Sequence, residues 1–428
     1  MFRSLRALLR PYASFDALAV FFGTGLRLAG RLAAFLLVSH WLGREAFGLF
    51  GVAIDTAEIA DSFADVGSDT ASVTFASRHA RAGDAPAFVR VFRTALWVKG
   101  TVALILLATG WAIAAPLAAR LGFPALAPAL RIAFLLVPAK ELYKLGNNIL
   151  QARQEFRRLS VFILLPPLLI VLGAVGFRLA GGFTLEVAVG LYAVTQGLAI
   201  FLLPGWFPRG LWQPRPPARA DVRQMIGFGR WVYLSNLLGT LRLRANTYLL
   251  LGFASPAALG DYQYAVRLAS LLNLVTETAT VTLLPKMTAR SGAAEVAGYL
   301  RRTLLRLAFL LLPLAGLAFL FRPVLAWLQP EFVGAAPAAA ALYLSLLGSV
   351  ATVPLSSALY ALRSPHLETY LELGNLAVLL ALGYILVRLL PDPALGAGLA
   401  LLVQRGLDFF ALLFLVRREI RRQRETGA

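Results

Sequence analysis

Apolar segments of helix length recur along this chain with little between them, and that spacing decides most of what the chain can become. About 20 apolar residues let an α-helix cross a bilayer. Such segments fall at 16–39, 46–72, 94–115, 128–150, 160–180, 185–206, 226–251, 258–284, 304–325, 337–361, 367–390 and 395–416. Twelve spans in 428 residues leave almost no room for a soluble domain. Composition agrees: 59% of residues are hydrophobic, 15% are charged and the mean hydropathy is +0.72. Soluble domains hold about 45–50% apolar and about 25% charged residues. The expected fold class is therefore an all-α polytopic membrane protein of about twelve helices, each satisfying its own backbone hydrogen bonds.

A net charge of +19 would suggest nucleic acid in a soluble protein. Sorted by loop, however, 25 basic residues fall on one predicted side, from Arg3, Arg6 and Arg10 to Arg417, Arg418, Arg421, Arg422 and Arg424. Five, Arg44, Arg120, Arg178, Arg322 and Arg388, fall on the other. The excess of basic residues marks the cytoplasmic side, so both termini are expected there and nucleic acid loses its main support. A bacterial cytoplasmic membrane suits the Ala/Leu/Arg-rich composition, in which lysine occurs only at 99, 140, 144 and 286. The first span runs into Ser39-His40-Trp41-Leu42-Gly43 with no small-residue cleavage site, so it reads as a retained span. The Pro-rich stretch 207–225 is the longest polar break and reads as a cytoplasmic linker. The expected layout is one six-helix lobe over 1–206, a second over 226–416 and a basic tail over 417–428.

The halves resemble each other. Ala46-Phe47-Gly48-Leu49-Phe50 matches Ala258-Leu259-Gly260-Asp261-Tyr262, and Phe92-Arg93-Thr94 matches Arg301-Arg302-Thr303. Ile149-Leu150-Gln151-Ala152 matches Ala358-Leu359-Tyr360-Ala361 at nearly the same offset. Six spans is an even number, so the repeats should be parallel, with a central cavity between lobes. Arg31 through Gly48, Leu150-Gln151-Ala152, Phe228-Gly229, Leu284-Pro285 and above all Leu259-Gly260-Asp261-Tyr262-Gln263-Tyr264-Ala265-Val266-Arg267-Leu268 also carry a family likeness. Over essentially the whole chain they resemble the polysaccharide-transporter (Wzx-type) branch of the MOP flippase superfamily. The resemblance implies a MATE-like fold of two lobes, alternating access and flipping of undecaprenyl-diphosphate-linked oligosaccharide for O-antigen, capsule or exopolysaccharide. It implies membrane lipid, glycosyltransferases and a polysaccharide polymerase as partners. Lipid II flippases of the superfamily usually have fourteen spans, so twelve points to the oligosaccharide branch.

Charges inside the spans are the candidate site, because each costs at least about 2.5 kcal/mol if it faces lipid near the bilayer centre. In the second span Asp55, Glu58, Asp61, Asp65 and Asp69 fall within an arc of about 120° at 100° per residue. Such a stripe must border protein or water. A hairpin turning near Gly43 brings Arg27 to the depth of Glu58 and Arg31 to that of Asp55. These are structural ion pairs, or else surplus carboxylates (Asp55, Glu58, Asp61 and Asp65 are the candidates) take up coupling protons. A second hairpin, turning near Ser255, sets Arg242 and Arg244 level with Arg267, where only Asp261 could compensate them. As a group they need an anion, and a diphosphate suits the planar guanidinium fork. Arg27, Arg31, Arg242, Arg244 and Arg267 are therefore the candidate diphosphate contacts. Lys99 is close enough to the interface to snorkel. Lys140, Glu141 and Lys144, like Arg405 and Asp408, read as local i, i+3 pairs, and Glu368 and Glu372 as solvated.

No enzyme chemistry is expected. The chain has no Cys, no Gly-Lys dipeptide for a phosphate loop and no convergent Ser/His/acid set. His40, His79 and His366 are scattered and suggest no metal, and no cofactor is implied. The nearer rival is a cation-coupled exporter of drugs or small molecules from the same superfamily, which the carboxylate stripe favours and the arginine group opposes.

Overall fold

A computed structural model describes residues 15–272, 292–362 and 366–426, together with Thr276, Leu283, Met287 and Ser364. Side chains are described from Leu28 onward, apart from a few later positions that include Trp231, Tyr360 and Glu368. The described residues are helical throughout their regular structure. In chain order the helices are α1 (Phe15–Ala64), α2 (Ser68–Ala82), α3 (Ala85–Arg120), α4 (Ala127–Phe134), α5 (Leu136–Ala152), α6 (Phe156–Leu179) and α7 (Leu185–Leu202). They continue with α8 (Arg219–Phe253), α9 (Pro256–Ala269), α10 (Ala293–Gly316), α11 (Phe321–Leu328), α12 (Ala336–Ala361), α13 (His366–Leu389) and α14 (Pro393–Thr426). Each expected span lies mainly on helix where it is described, but the second, 46–72, breaks at 65–67 between α1 and α2, and the first two spans run together in α1 across Gly43. Among the described residues, seven helical stretches are long and apolar enough to cross a membrane by themselves.

Local chemistry explains the breaks. Gly43 interrupts α1 with φ 72° and ψ 173°, a left-handed φ that glycine adopts without the Cβ clash of other residues. Pro138 lacks the N–H that would bond the carbonyl of residue 134, and the fourth span accordingly divides into α4 and α5 at Leu135. Asp84, Thr184 and Ser255 cap the helices that follow them, each accepting a backbone N–H three residues on.

The chain divides into two compact units: Met1–Leu42 with Val52–Thr240, and Gly43–Gly51 with Leu241–Ala428. The division therefore falls inside α8. In the first unit Phe88, Phe92, Leu145, Ile149, Phe162 and Ile200 form a buried cluster joining α3, α5, α6 and α7. The stretch expected as a linker adds Phe207, Leu211 and Met225 to that core. Its prolines interrupt helix, but these three apolar side chains are buried, while Trp212 is exposed.

In the second unit α12 lies against α14, with Ser345 Oγ donating to Leu401 O at 3.3 Å. Asn246 of α8 donates to Ala397 O at 2.9 Å. The segment 43–51 packs on the first turns of α9 at backbone distance. A Cβ on Gly48 would meet Gly260 N at 2.8 Å, and one on Gly260 would meet Arg44 O at 2.0 Å. Glycine at both positions is what permits that approach.

Candidate functional site

Three acids of the expected stripe, Glu58, Asp61 and Asp69, face lysines. Lys144 Nζ of α5 lies 2.8 Å from Asp61 Oδ2 and 2.6 Å from Glu141 Oε1. Lys140 reaches the same Asp61 oxygen at 3.1 Å and Glu58 at 3.5 Å. Lys99 of α3 lies between Glu141, at 2.6 Å, and Asp69, and Asn148 donates to Asp69 at 2.6 Å. Four carboxylates thus share three ammonium groups. A lysine ammonium has three donors free to rotate, so one cation can serve acids from two helices. Asp65 stands apart: it accepts the Asp69 N–H at 3.0 Å and caps the first turn of α2. Asp55 is buried, at 1% exposure.

This network corrects three sequence expectations. Lys99 does not snorkel; its side chain is 2% exposed. Burial between two carboxylates is more favourable for it than a stretch to the interface. Lys140, Glu141 and Lys144 are not only a local pair, because helix packing carries both lysines onto the α1 stripe. Arg31 is exposed and forms no ion pair among the described residues, so it does not meet Asp55. Glu58 has Lys140 beside it, while the Arg27 side chain lies outside the described residues.

The second unit pairs its charges differently. Arg44 holds Asp261 through two parallel contacts, Nε to Oδ1 at 2.7 Å and Nη2 to Oδ2. Asp261 is therefore not available to compensate the α8 and α9 arginines. Arg242 Nε lies 3.3 Å from Glu372 Oε2, so Glu372 is an ion-pair partner and not a solvated residue. Arg405 Nη1 donates to Asp408 at 2.9 Å, and Asn375 donates to the other Asp408 oxygen at 2.8 Å. Arg242 lies within Coulombic reach of Arg405. Nε and Nη1 of Arg242 and Nε of Arg405 are buried without a hydrogen-bond acceptor.

Arg267 lies over the Phe47 and Phe50 rings, 5.5 and 5.4 Å from their centroids, and donates to Gln263 Oε1. Gln263 in turn donates to Thr247 at 3.1 Å. Arg244 is half-buried. The equal depth read from the hairpin does not make one cluster of Arg242, Arg244 and Arg267; each has its own surroundings. Sequence reasoning read Lys99, Lys140, Lys144, Glu141 and Glu372 as local or solvated and so missed their place here, and it did not single out Asn148, while the expected i, i+3 pair of Arg405 and Asp408 is present. One signal was present: three of the four lysines in an arginine-rich chain belong to this one network.

Solved structures give the fold. The fold matches a multidrug resistance MATE family transporter of the MOP superfamily, in its inward-facing conformation, with a TM-score of 0.79 and 15% identity over 94% of this chain and 96% of that one. It matches the lipid II flippase MurJ, in an inward closed conformation, with a TM-score of 0.69 and 14% identity over 95% and 88%. A MOP superfamily transporter from Pyrococcus furiosus, described as having a binding pocket of reversed polarity, matches with a TM-score of 0.54 and 15% identity over 94% of each chain. The molecule thus has the all-helical membrane fold of the MOP superfamily. The family model described as polysaccharide biosynthesis protein matches residues 20–290, well over half of the chain, and the chain belongs to that family. No curated protein sequence matches it.

Proposed function

We propose that this protein is a flippase that carries polyprenyl-diphosphate-linked oligosaccharide across the bacterial cytoplasmic membrane by alternating access. The product would feed O-antigen, capsule or exopolysaccharide synthesis, between the glycosyltransferases that build the lipid-linked unit and the polymerase that joins such units. Membership of a polysaccharide biosynthesis family and the fold shared with a lipid II flippase support this reading. The observation that carries it is the neutralised carboxylate stripe. Glu58, Asp61, Asp69 and Glu141 face three lysines, so the acidic surface that a cation exporter would need is already occupied. The arginines of α8, α9 and α14 supply the opposite polarity, and Arg242 and Arg405 keep N–H donors without acceptors. A diphosphate presents paired anionic oxygens that match such donors. Arg242, Arg244 and Arg267 of the second unit are the proposed contacts.

The test is glycan export in cells depleted of the native protein, scored for Arg242→Ala, Arg244→Ala, Arg267→Ala and Arg267→Lys alongside folded yield. One charged hydrogen bond is worth about 1.5–3 kcal/mol, or about ten- to a hundredfold in affinity. Arg267→Ala should therefore abolish export at near-normal yield, and Arg267→Lys should keep part of it. Full export by all three alanine variants and by their triple combination would overturn the reading and favour the cation exporter.

A further inference from the structure

One end of the second unit carries charge that the ion pairs described above do not use. There Val296 and Leu300 of α10 share a buried cluster with Leu355 and Leu359 of α12 and Val416 and Ile420 of α14. Gln423 donates to Leu362 O at 2.8 Å and ties the last turns of α14 to the end of α12. With that face docked, the opposite face is exposed. At 100° per residue Arg417, Arg418, Arg421 and Arg422 lie within an arc of about 140°. All four are exposed, while Val416, Glu419 and Ile420 on the other side are buried. Arg301 and Arg302 of α10, which flank buried Leu300 and Thr303, are exposed on the same end of the unit.

What lies next to these arginines identifies their partner. On α10 an exposed apolar belt begins directly after them: Leu305, Phe309 and Leu312 are 62%, 84% and 73% exposed. On α14 the same belt runs through Leu407, Phe410 and Phe414 and stops within one turn of Arg417. An apolar surface of this kind in a membrane fold faces lipid chains. A helix rises 1.5 Å per residue, so Arg417 through Arg422 occupy roughly the first 9 Å beyond the belt. That is the depth of lipid phosphates, and it lies within about one Debye length of the membrane surface. On α14 Glu419 lies 3.8 Å from Arg422.

We propose that Arg301, Arg302, Arg417, Arg418, Arg421 and Arg422 form a basic collar that binds the headgroups of anionic phospholipids. The collar takes bulk lipid, so it stands whether or not the transported molecule is a lipid-linked glycan. Each basic residue at a charged surface contributes about fivefold in affinity.

The test uses the full chain purified in detergent and titrated with phosphatidylglycerol or phosphatidylcholine, with bound lipid counted by native mass spectrometry and thermal unfolding followed in parallel. Phosphatidylglycerol should bind about tenfold or more tightly than phosphatidylcholine and raise the unfolding temperature, and both effects should fade at high salt. Changing all six arginines to Gln should remove the preference, and changing them to Lys should keep it. Inorganic phosphate at matching concentration should displace none of the lipid. Equal binding of the two lipids by the unsubstituted protein, or an undiminished preference in the Gln variant, would overturn the proposal and leave the collar to an acidic protein. Displacement by inorganic phosphate would overturn it too, in favour of a site for the free anion. If the Gln variant does not fold, the salt titration decides: lipid binding that high salt leaves intact overturns the collar.

Discussion

The two units solve the same problem, charge inside a membrane fold, with different cations. The first uses lysine and builds a shared network, in which Asp61 serves Lys140 and Lys144, and Glu141 serves Lys99 and Lys144. The second uses arginine: Arg44 pairs with Asp261 by itself, while the Arg242–Glu372 and Arg405–Asp408 contacts lie close enough to act on one another. The chemistry of the two groups accounts for the difference. An ammonium is a compact charge with three donors, and it bridges acids arriving from several helices. A guanidinium is a planar fork that matches one carboxylate face to face. A network spreads the loss of any member over several helices, whereas a pair confines it. Coupling between mutations should therefore be wide in the first unit and narrow at the Arg44–Asp261 pair of the second.

The largest expected effect tests that contrast directly. Lys144→Met leaves Asp61 and Glu141 under-compensated and should cost about 3–5 kcal/mol, read as a fall in thermal stability of the purified protein. Adding Asp61→Asn should recover only part of the loss, because Lys140 then loses one of its two carboxylates and Glu141 still lacks Lys144. In the second unit, Arg44→Met combined with Asp261→Asn should recover most of what Arg44→Met alone loses. Equal recovery in the two units would break the distinction between network and pair.

A smaller effect is expected where backbone meets backbone. Gly260→Ala drives a Cβ to 2.0 Å from Arg44 O, and segment 43–51 must move off α9. Overpacking of this kind costs about 1–3 kcal/mol. The decline should appear in folded yield and melting temperature, and an unchanged melting temperature would show that the contact is not tight. The smallest effect concerns the fork. Arg44→Lys keeps the charge but loses one of two parallel contacts to Asp261, about 1 kcal/mol. A loss as large as that of Arg44→Met would mean that Asp261 depends on geometry far more than on charge.

Much of the fold was legible because helices announce themselves by length and period. Asp55, Glu58 and Asp61 were visible as one face of α1, since 3.6 residues per turn relates positions within a helix, whereas Asp65 and Asp69 lie past the break at 65–67 and are placed by the turn and by α2. What faces these acids was not visible, because Lys99 and Lys140 reach them from α3 and α5, and no periodicity says which helices will be neighbours. The hairpin arithmetic worked from depth alone and gave Arg31 to Asp55. Arg31 is exposed, because equal depth says nothing about which way a side chain points around its helix. Glu372 read as solvated for the same reason, since its partner Arg242 lies 130 positions earlier on α8.

By itself, then, the sequence determined the solvent and the elements. Its recurrent apolar segments require a membrane, since too few charges remain to keep so much apolar surface in water, and in lipid a backbone must bond within its own helix. It determined also that the intramembrane charges need partners, because an unpaired charge in that medium is too costly to keep. Only the tertiary structure decided which partners those are. Ion pairing acts over a few ångströms, and it takes the packing of helices far apart in the chain to bring an ammonium or a guanidinium within that reach.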